Sequence, residues 1–198
     1  MRGFFALWQY LPMEMEHPSN HVIRPVRADE WRKVKELRLA SLADPAAPVA
    51  FLDTLESASA QPDEFWQERA TNAQGPSVRQ FVAEGPDGAW AGNVVVLIEA
   101  EGADDVFGHR IASPQAHIVG VFVRPEYRGL GLTERLFAAA LDWAWAQEPR
   151  VNRVRLLVHE DNPRARGFYR KAGFVLTGFT AQLTDDGGRD LEMEILRP

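Results

Sequence analysis

The residues best suited to chemistry in this 198-residue chain are Arg128-Gly129-Leu130-Gly131-Leu132-Thr133. They follow an apolar run ending in Val123-Arg124-Pro125 and lead into a helical pattern. Glycines at a helix entrance remove side chains, so successive backbone N–H groups can converge on an anion, and the helix dipole adds favourable potential there. Arg128 places a full positive charge beside them. The physical reading is a diphosphate cradle. A lone Gly-x-Gly also makes a plain tight turn from strand to helix, and that reading stands beside the first. A dinucleotide-binding fold expects Gly-x-Gly-x-x-Gly directly after the first strand. Here Glu134 holds the third position, Pro125 precedes the loop and three strands come earlier, so that reading fails.

A second block, Asn162-Pro163-Arg164-Ala165-Arg166-Gly167-Phe168-Tyr169-Arg170-Lys171-Ala172-Gly173-Phe174, lies downstream. Together with Val121-Phe122-Val123-Arg124-Pro125-Glu126-Tyr127-Arg128-Gly129-Leu130-Gly131, it resembles the GCN5-related N-acetyltransferase (GNAT) superfamily. The second block is similar to that family's Asn-x(6)-Tyr-x-x-x-Gly-Phe signature. Thr133 departs from the Gly or Ala that ends the family's cradle motif. The resemblance implies an α/β fold: one mixed, mostly antiparallel sheet flanked by helices, with splayed central strands. It implies acetyl-CoA as acyl donor, no metal, and direct attack by a primary amine in a ternary complex. Backbone groups of Val121, Phe122 and Val123 would hold the pantetheine arm, and an N–H there would polarise the thioester carbonyl. The amides of Gly129, Leu130, Gly131, Leu132, Thr133 and Glu134 would bind the diphosphate. Asn162 would bind the pantetheine region, and Tyr169 would border the cofactor and protonate the departing thiolate. Each has a plainer alternative: Asn162 as a helix N-cap, and Tyr169 as a packing residue. Gly173-Phe174 is a helix C-cap and a core aromatic on either reading.

An ammonium must lose a proton before it attacks, so a base or a water chain is expected. Some family members place a glutamate where this chain has Leu157. His117 on the central strand is the candidate base, with Glu84, Glu99 and His159 as substitutes. A buried histidine with a satisfied hydrogen bond is the plainer reading of His117. His17 and His21 are four apart, but Pro18 opposes a helical metal pair, and no metal is assigned. Acceptor choice falls to residues 44–61, 100–114 and 183–189. Asp53, Glu56, Glu101, Asp104 and Asp105 there would favour a cationic acceptor, or form a solvated acidic surface. A small-molecule or peptide amine is the expected partner, and a homodimer is compatible with the family. Two rivals remain: a non-catalytic acyl-CoA-binding sensor or structural module, and transfer to oxygen or of another acyl group.

The elements that must position these residues follow from pattern. Val22 to Val26 is an extended run whose proline suits an edge. Asp29 offers an N-cap to a helix carrying Trp31, Val34, Leu37, Leu39 and Leu42, stopped by Asp44-Pro45. Residues 44–62 read as a long loop, and a second helix from Pro62 faces Phe65, Trp66 and Ala70 inward. Val78–Glu84 and Trp90–Glu99 flank Gly85-Pro86-Asp87-Gly88, which is hairpin chemistry. After a polar insertion, Ala116–Val123 reads as a buried strand. Leu132–Gln147 is a helix with Leu132, Leu136, Ala140, Trp143 and Ala144 on one stripe. Val154–Val158 is a strand, Pro163–Ala172 a helix, and Phe174–Leu183 with Leu191–Leu196 a hairpin around Asp185-Asp186-Gly187-Gly188.

Composition bounds the rest. There are 22 basic and 28 acidic residues, a net charge of −6, which opposes a sequence-independent nucleic-acid binder. There is no cysteine, so disulfides, thiolate metal sites and cysteine nucleophiles are excluded. No apolar run reaches the roughly 18 residues of a membrane span. Phe4 to Trp8 is too short and too soon interrupted by Gln9 to read as a signal peptide. Residues 1–20 are expected to be an extension, with Met13 and Met15 as alternative starts, and 21–198 the N-acetyltransferase domain. A cytoplasmic protein is expected.

Overall fold

In the computed structural model, which describes residues 20–183 and 188–198, seven strands form one sheet. The expected extension and most of the Asp185–Gly188 turn lie outside the described residues. The first half of the chain gives β1 (Val22–Pro25), α1 (Trp31–Leu42), α2 (Leu55–Ser59), α3 (Asp63–Asn72), β2 (Val78–Glu84), β3 (Trp90–Glu99) and β4 (Gln115–Val123). The second gives α4 (Leu132–Trp145), β5 (Arg153–His159), α5 (Pro163–Lys171), β6 (Val175–Ala181) and β7 (Asp190–Leu196). Spatial order is β1-β2-β3-β4-β5-β7-β6. Every neighbouring pair is antiparallel except β4 with β5. The mixed, mostly antiparallel sheet expected from the sequence is therefore present.

Apolar alternation places a layer on each face. On one face Leu132, Leu136, Phe137, Ala140 and Ala144 of α4, with Tyr169 of α5, pack on Ala116, Ile118, Val154, Leu156 and Met193. Trp143 is only half-buried at the margin of that stripe. On the other face Val34 and Leu37 of α1 and Trp66 and Ala70 of α3 cover Val82, Trp90 and Phe122.

Three local expectations are corrected. Residues 44–62 are not all loop. Ala47–Val49 is a 3-10 turn, and α2 forms where Thr54 Oγ1 accepts the Ser57 N–H at 3.1 Å. Five residues are too few to show a helical apolar period. Asp29 is not the N-cap of α1, because the chain enters through a 3-10 turn at Ala28–Glu30; the Glu30 carboxylate instead accepts the Arg27 N–H at 2.9 Å. Phe65 is exposed, since its neighbour Trp66 takes the interior position, 1% exposed.

Candidate active site

The site begins with an incomplete strand pair. β4 and β5 pair only at Ala116–Val154, His117–Arg155 and Ile118–Leu156, and beyond them the strands separate. On its other side β4 is bulged against β3: Asn93 pairs with Phe122 and Val95 with Val119, leaving one extra residue on β4. Gly120 takes φ +62° at the bulge, a conformation side chains disfavour, and buried Asn93 holds it by donating from Nδ2 to the Gly120 carbonyl at 2.6 Å. These two irregularities turn backbone groups of residues 119–123 toward a cleft of about 690 Å3. Its walls include Val121, Phe122, Val123, Leu157, Asn162, Tyr169 and His117.

The glycine turn stands at the end of β4. Gly131 is the N-cap of α4 with φ +69°, and Gly129 has φ +83°. No side chain caps α4, so its first N–H groups have no side-chain acceptor. A Cβ on either glycine would meet no protein atom within 4 Å, so the turn opens onto free space. Gly129, Gly131, Leu132, Thr133 and Glu134 border the cleft. Leu130 sits in the same turn with its side chain exposed and is not part of the cleft wall. The charge of Arg128 is already compensated: its guanidinium pairs with buried Asp44, while Nε donates to the Val123 carbonyl at 3.0 Å. Burial alone would push the Asp44 carboxyl up, but the Ala46 N–H and the Arg128 guanidinium hold it below the usual carboxylate range. Arg128 thus straps the loop after α1 to the end of β4.

Asn162 uses both ends of its amide. Oδ1 accepts the Ala165 N–H at 3.1 Å as N-cap of α5, and Nδ2 reaches the Val49 carbonyl at 3.3 Å. Tyr169 is buried on α5 among Phe137, Phe168 and Phe174, and burial pushes its phenol well above the ordinary tyrosine value. The phenol therefore keeps its proton at neutral pH.

His117 borders the cleft, 4% exposed, with Nδ1 3.4 Å from Glu99 Oε1. Burial would push Glu99 up, yet His117 and Arg155 hold it down at about 2. Glu99 stays ionised within a network on this face: Arg155 donates to it at 2.9 and 2.6 Å, Gln115 at 2.7 Å. The other expected bases are placed differently. Glu84 lies at the β1–β2 edge and accepts from Arg24 at 2.6 and 2.8 Å, away from the cleft wall. Glu99 itself is spent on Arg155. His159 borders the cleft, but its Nδ1 lone pair accepts the Asp161 N–H at 3.1 Å.

Of the five acidic residues Asp53, Glu56, Glu101, Asp104 and Asp105, Asp53 alone borders the cleft, where it faces Arg38 at 3.5 Å, and Asp44 of the same loop borders it paired with Arg128. Asp104 pairs with Arg110 at 3.7 Å, Asp105 turns to Arg155 at 3.4 Å, and Glu56 and Glu101 are exposed off the wall. Glu56, Glu101, Asp104 and Asp105 therefore match the solvated or ion-paired reading rather than an acceptor surface. Arg38, Phe51, Arg69 and Arg164, which the sequence reading did not single out, do. Arg164 had a visible signal, the first turn of a helix beside Asn162. Arg38 and Arg69 lie on two helices whose convergence no local pattern announces.

Among known proteins, the Acetyltransferase (GNAT) family model matches residues 39–174. A Bacillus subtilis (strain 168) protein assigned as a ribosomal protein bS18-alanine N-acetyltransferase is 34% identical over 80 residues, 40% of this chain and 52% of that protein. The peptidyl-lysine N-acetyltransferase YjaB of Escherichia coli (strain K12) is 33% identical over 101 residues, 51% of this chain and 57% of that one. The chain thus spans about half the length of the curated relatives it matches. The structure of a GNAT-family acetyltransferase from Streptococcus pneumoniae superposes with a TM-score of 0.68 at 19% identity, covering 89% of this chain and 99% of that one. PaiA N-acetyltransferase from Thermoplasma acidophilum, in complex with coenzyme A, gives 0.66 at 19% identity over the same shares. With the family match extending from α1 to the end of α5, and with a splayed, bulged β4 leading to a glycine helix entrance, the chain belongs to the GNAT family of acetyltransferases.

Proposed function

We propose that this protein transfers an acetyl group from acetyl-CoA to a primary amine by direct attack. The carrying observation is the junction of the bulged, splayed end of β4 with the uncapped, glycine-lined start of α4 in one cleft. Bound acetyl-CoA would supply an acetyl group activated as a thioester. Its diphosphate fits the open turn from Gly129 to Glu134, where a side chain would occupy the required space and a helix N-terminus favours an anion. The backbone of Val121 to Val123 would align the pantetheine arm, and an N–H at the bulge would stabilise charge on the carbonyl oxygen.

His117 takes the ammonium proton in this reading. Its Nδ1 lies 3.4 Å from Glu99 Oε1 without hydrogen-bond geometry, so the carboxylate acts as a neighbouring negative charge that favours the imidazolium formed on proton uptake. Tyr169 holds a proton for the leaving thiolate. Asn162 has its oxygen committed to α5 and one Nδ2 hydrogen directed at the Val49 carbonyl, so the second Nδ2 hydrogen is the one offered to the pantetheine arm. The matched relatives are named for an alanine α-amine and a lysine side-chain amine, which supports nitrogen as the nucleophile.

Calorimetric titration with acetyl-CoA, followed by thiol release with an amine panel, tests this. Wild type is expected to bind and turn over, and folded Gly131→Glu to bind at least about 100-fold more weakly, since bulk and negative charge enter the diphosphate position. Unchanged affinity in that variant would remove the cradle from the mechanism. Tight binding without transfer to any amine would favour the acyl-CoA sensor.

A further inference from the structure

Arg38 projects from α1 and Arg69 from α3, and both line the main cleft. Both also line a small recess of about 10 Å3 behind it, together with Gln80, Asn93 and Gly120. Gly120 is the bulge residue of β4, so this recess joins the two arginines to the backbone where acyl transfer is placed. Their mutual repulsion is met by one carboxylate, Asp53, 3.5 Å from Arg38. Arg38 is braced over the Phe51 ring at 4.7 Å, and its Nε is buried without a hydrogen-bond partner. The Arg69 side chain is solvent-accessible, and its guanidinium makes no hydrogen bond or ion pair with any described residue, feeling Asp53 only at longer range. Burial lowers the pKa of Arg38, and the charge of Arg69 lowers it further. Two positive charges against one negative leave one uncompensated charge on this wall.

We infer that Arg38 and Arg69 form an acceptor subsite for a carboxylate, so that the amine acetylated is that of a free amino acid or a similarly compact amino acid analogue. The inference rests on the acetyltransferase reading above and adds its substrate class. A monoanion balances the single surplus charge, and a guanidinium recognises carboxylate through paired, charge-assisted hydrogen bonds. Proximity to Gly120 requires a short spacing between the anion and the attacking nitrogen. A polyamine or a neutral amine would leave the surplus charge unanswered.

The test uses matched acceptors built on alanine, leucine and phenylalanine: each free amino acid and its amide. kcat/KM for the acids is expected to exceed that for the amides by about 10–100-fold, the span of a hydrogen-bonded charge contact. In Arg69→Gln, an exposed position that tolerates the change, this ratio is expected to fall below about threefold with acetyl-CoA affinity retained. Arg38→Gln is expected to act likewise if folded. Calorimetric titration of N-acetylphenylalanine and its amide onto the CoA-saturated protein reads the subsite without turnover. Preference for the acid, lost in Arg69→Gln, supports the subsite even if no acceptor in the panel is acetylated. Equal use and equal binding of acid and amide overturn it, as does a preference that survives Arg69→Gln. Loss of acetyl-CoA affinity in Arg69→Gln would assign the pair to the donor and also overturn it.

Discussion

Tyr169 carries opposing physical demands. Burial keeps the phenol protonated, which a proton donor needs, yet it also makes that phenol a weaker acid than a thiol of pKa roughly 8.5. Full transfer to the thiolate is thus uphill even once the charge on sulfur is complete, so hydrogen bonding to the developing thiolate carries most of the assistance. Tyr169→Phe keeps the ring against Phe137, Phe168 and Phe174 and removes only the hydroxyl. Steady-state kinetics on a genuine acceptor should show kcat lower by about 10²-fold, the low end of general-acid effects, with acetyl-CoA affinity within about twofold. Wild-type turnover would reduce Tyr169 to packing. His117 makes a different prediction. If His117 takes the ammonium proton as proposed, His117→Gln should lower kcat/KM by about 10²–10⁴-fold with acetyl-CoA affinity retained. Wild-type kcat/KM in that variant would assign deprotonation to another group or to water.

The β4 strand shows why some of the site was legible and some was not. Its apolar run, its end at Val123-Arg124-Pro125, and the glycine entrance of α4 are sequence-local, so the strand, the helix and the open glycine turn between them were all readable. The Asn162 to Phe174 block was readable for the same reason, including the dual reading of Asn162, whose oxygen does cap α5. The bulge was not, because it depends on which residue of β3 faces which residue of β4. Asn93 reads as one polar residue in an apolar strand, and only the fold brings it to Gly120, 27 positions away. Arg38 and Arg69 escaped notice likewise, as ordinary charged residues on amphipathic helices. The short α2 was hidden by its length and by the alanine- and serine-rich run around it. Asn93→Leu tests the bulge as a device. It leaves the Gly120 carbonyl without its buried donor, which costs about 1–3 kcal/mol. A lower urea midpoint of that size, with kcat reduced more than acetyl-CoA affinity, is expected; an unchanged midpoint would mean that the ladder alone holds the bulge.

At the scale of the molecule, the sheet has one apolar face and one divided face, and the cleft occupies the division. The α1–α3 layer covers the β1 to β4 end through Val34, Leu37, Trp66 and Phe122. The β5–β7 end of the same face carries Arg153, Arg155, Glu192 and Glu194, with Glu99 and Gln115 from the adjoining strands, and Asp105 of the insertion reaches Arg155. Breaking buried ion pairs is costly because the abandoned partner stays charged in a poor solvent for charge. The pH at which this happens follows from the carboxylates. Glu99 is held at about 2 against burial by His117 and Arg155, and Glu84 at about 2 by its hydrogen bonds from Arg24. Both folded values lie below the unfolded one, so their stabilisation is fully present above roughly pH 4.5 and is lost as pH falls toward about 2. Together they should remove on the order of a few kcal/mol across that window, a large share of a domain's stability. Urea midpoints measured from pH 7 to 2.5 should therefore stay level to about pH 5 and then fall steeply. In Glu84→Gln, where the Arg24 pair is removed at the sheet edge, the midpoint at pH 7 should already be lower and the acid slope shallower. A wild-type midpoint that does not move down to pH 3 would mean that these carboxylates are no more acidic folded than unfolded, and that the divided face is held by packing rather than by charge.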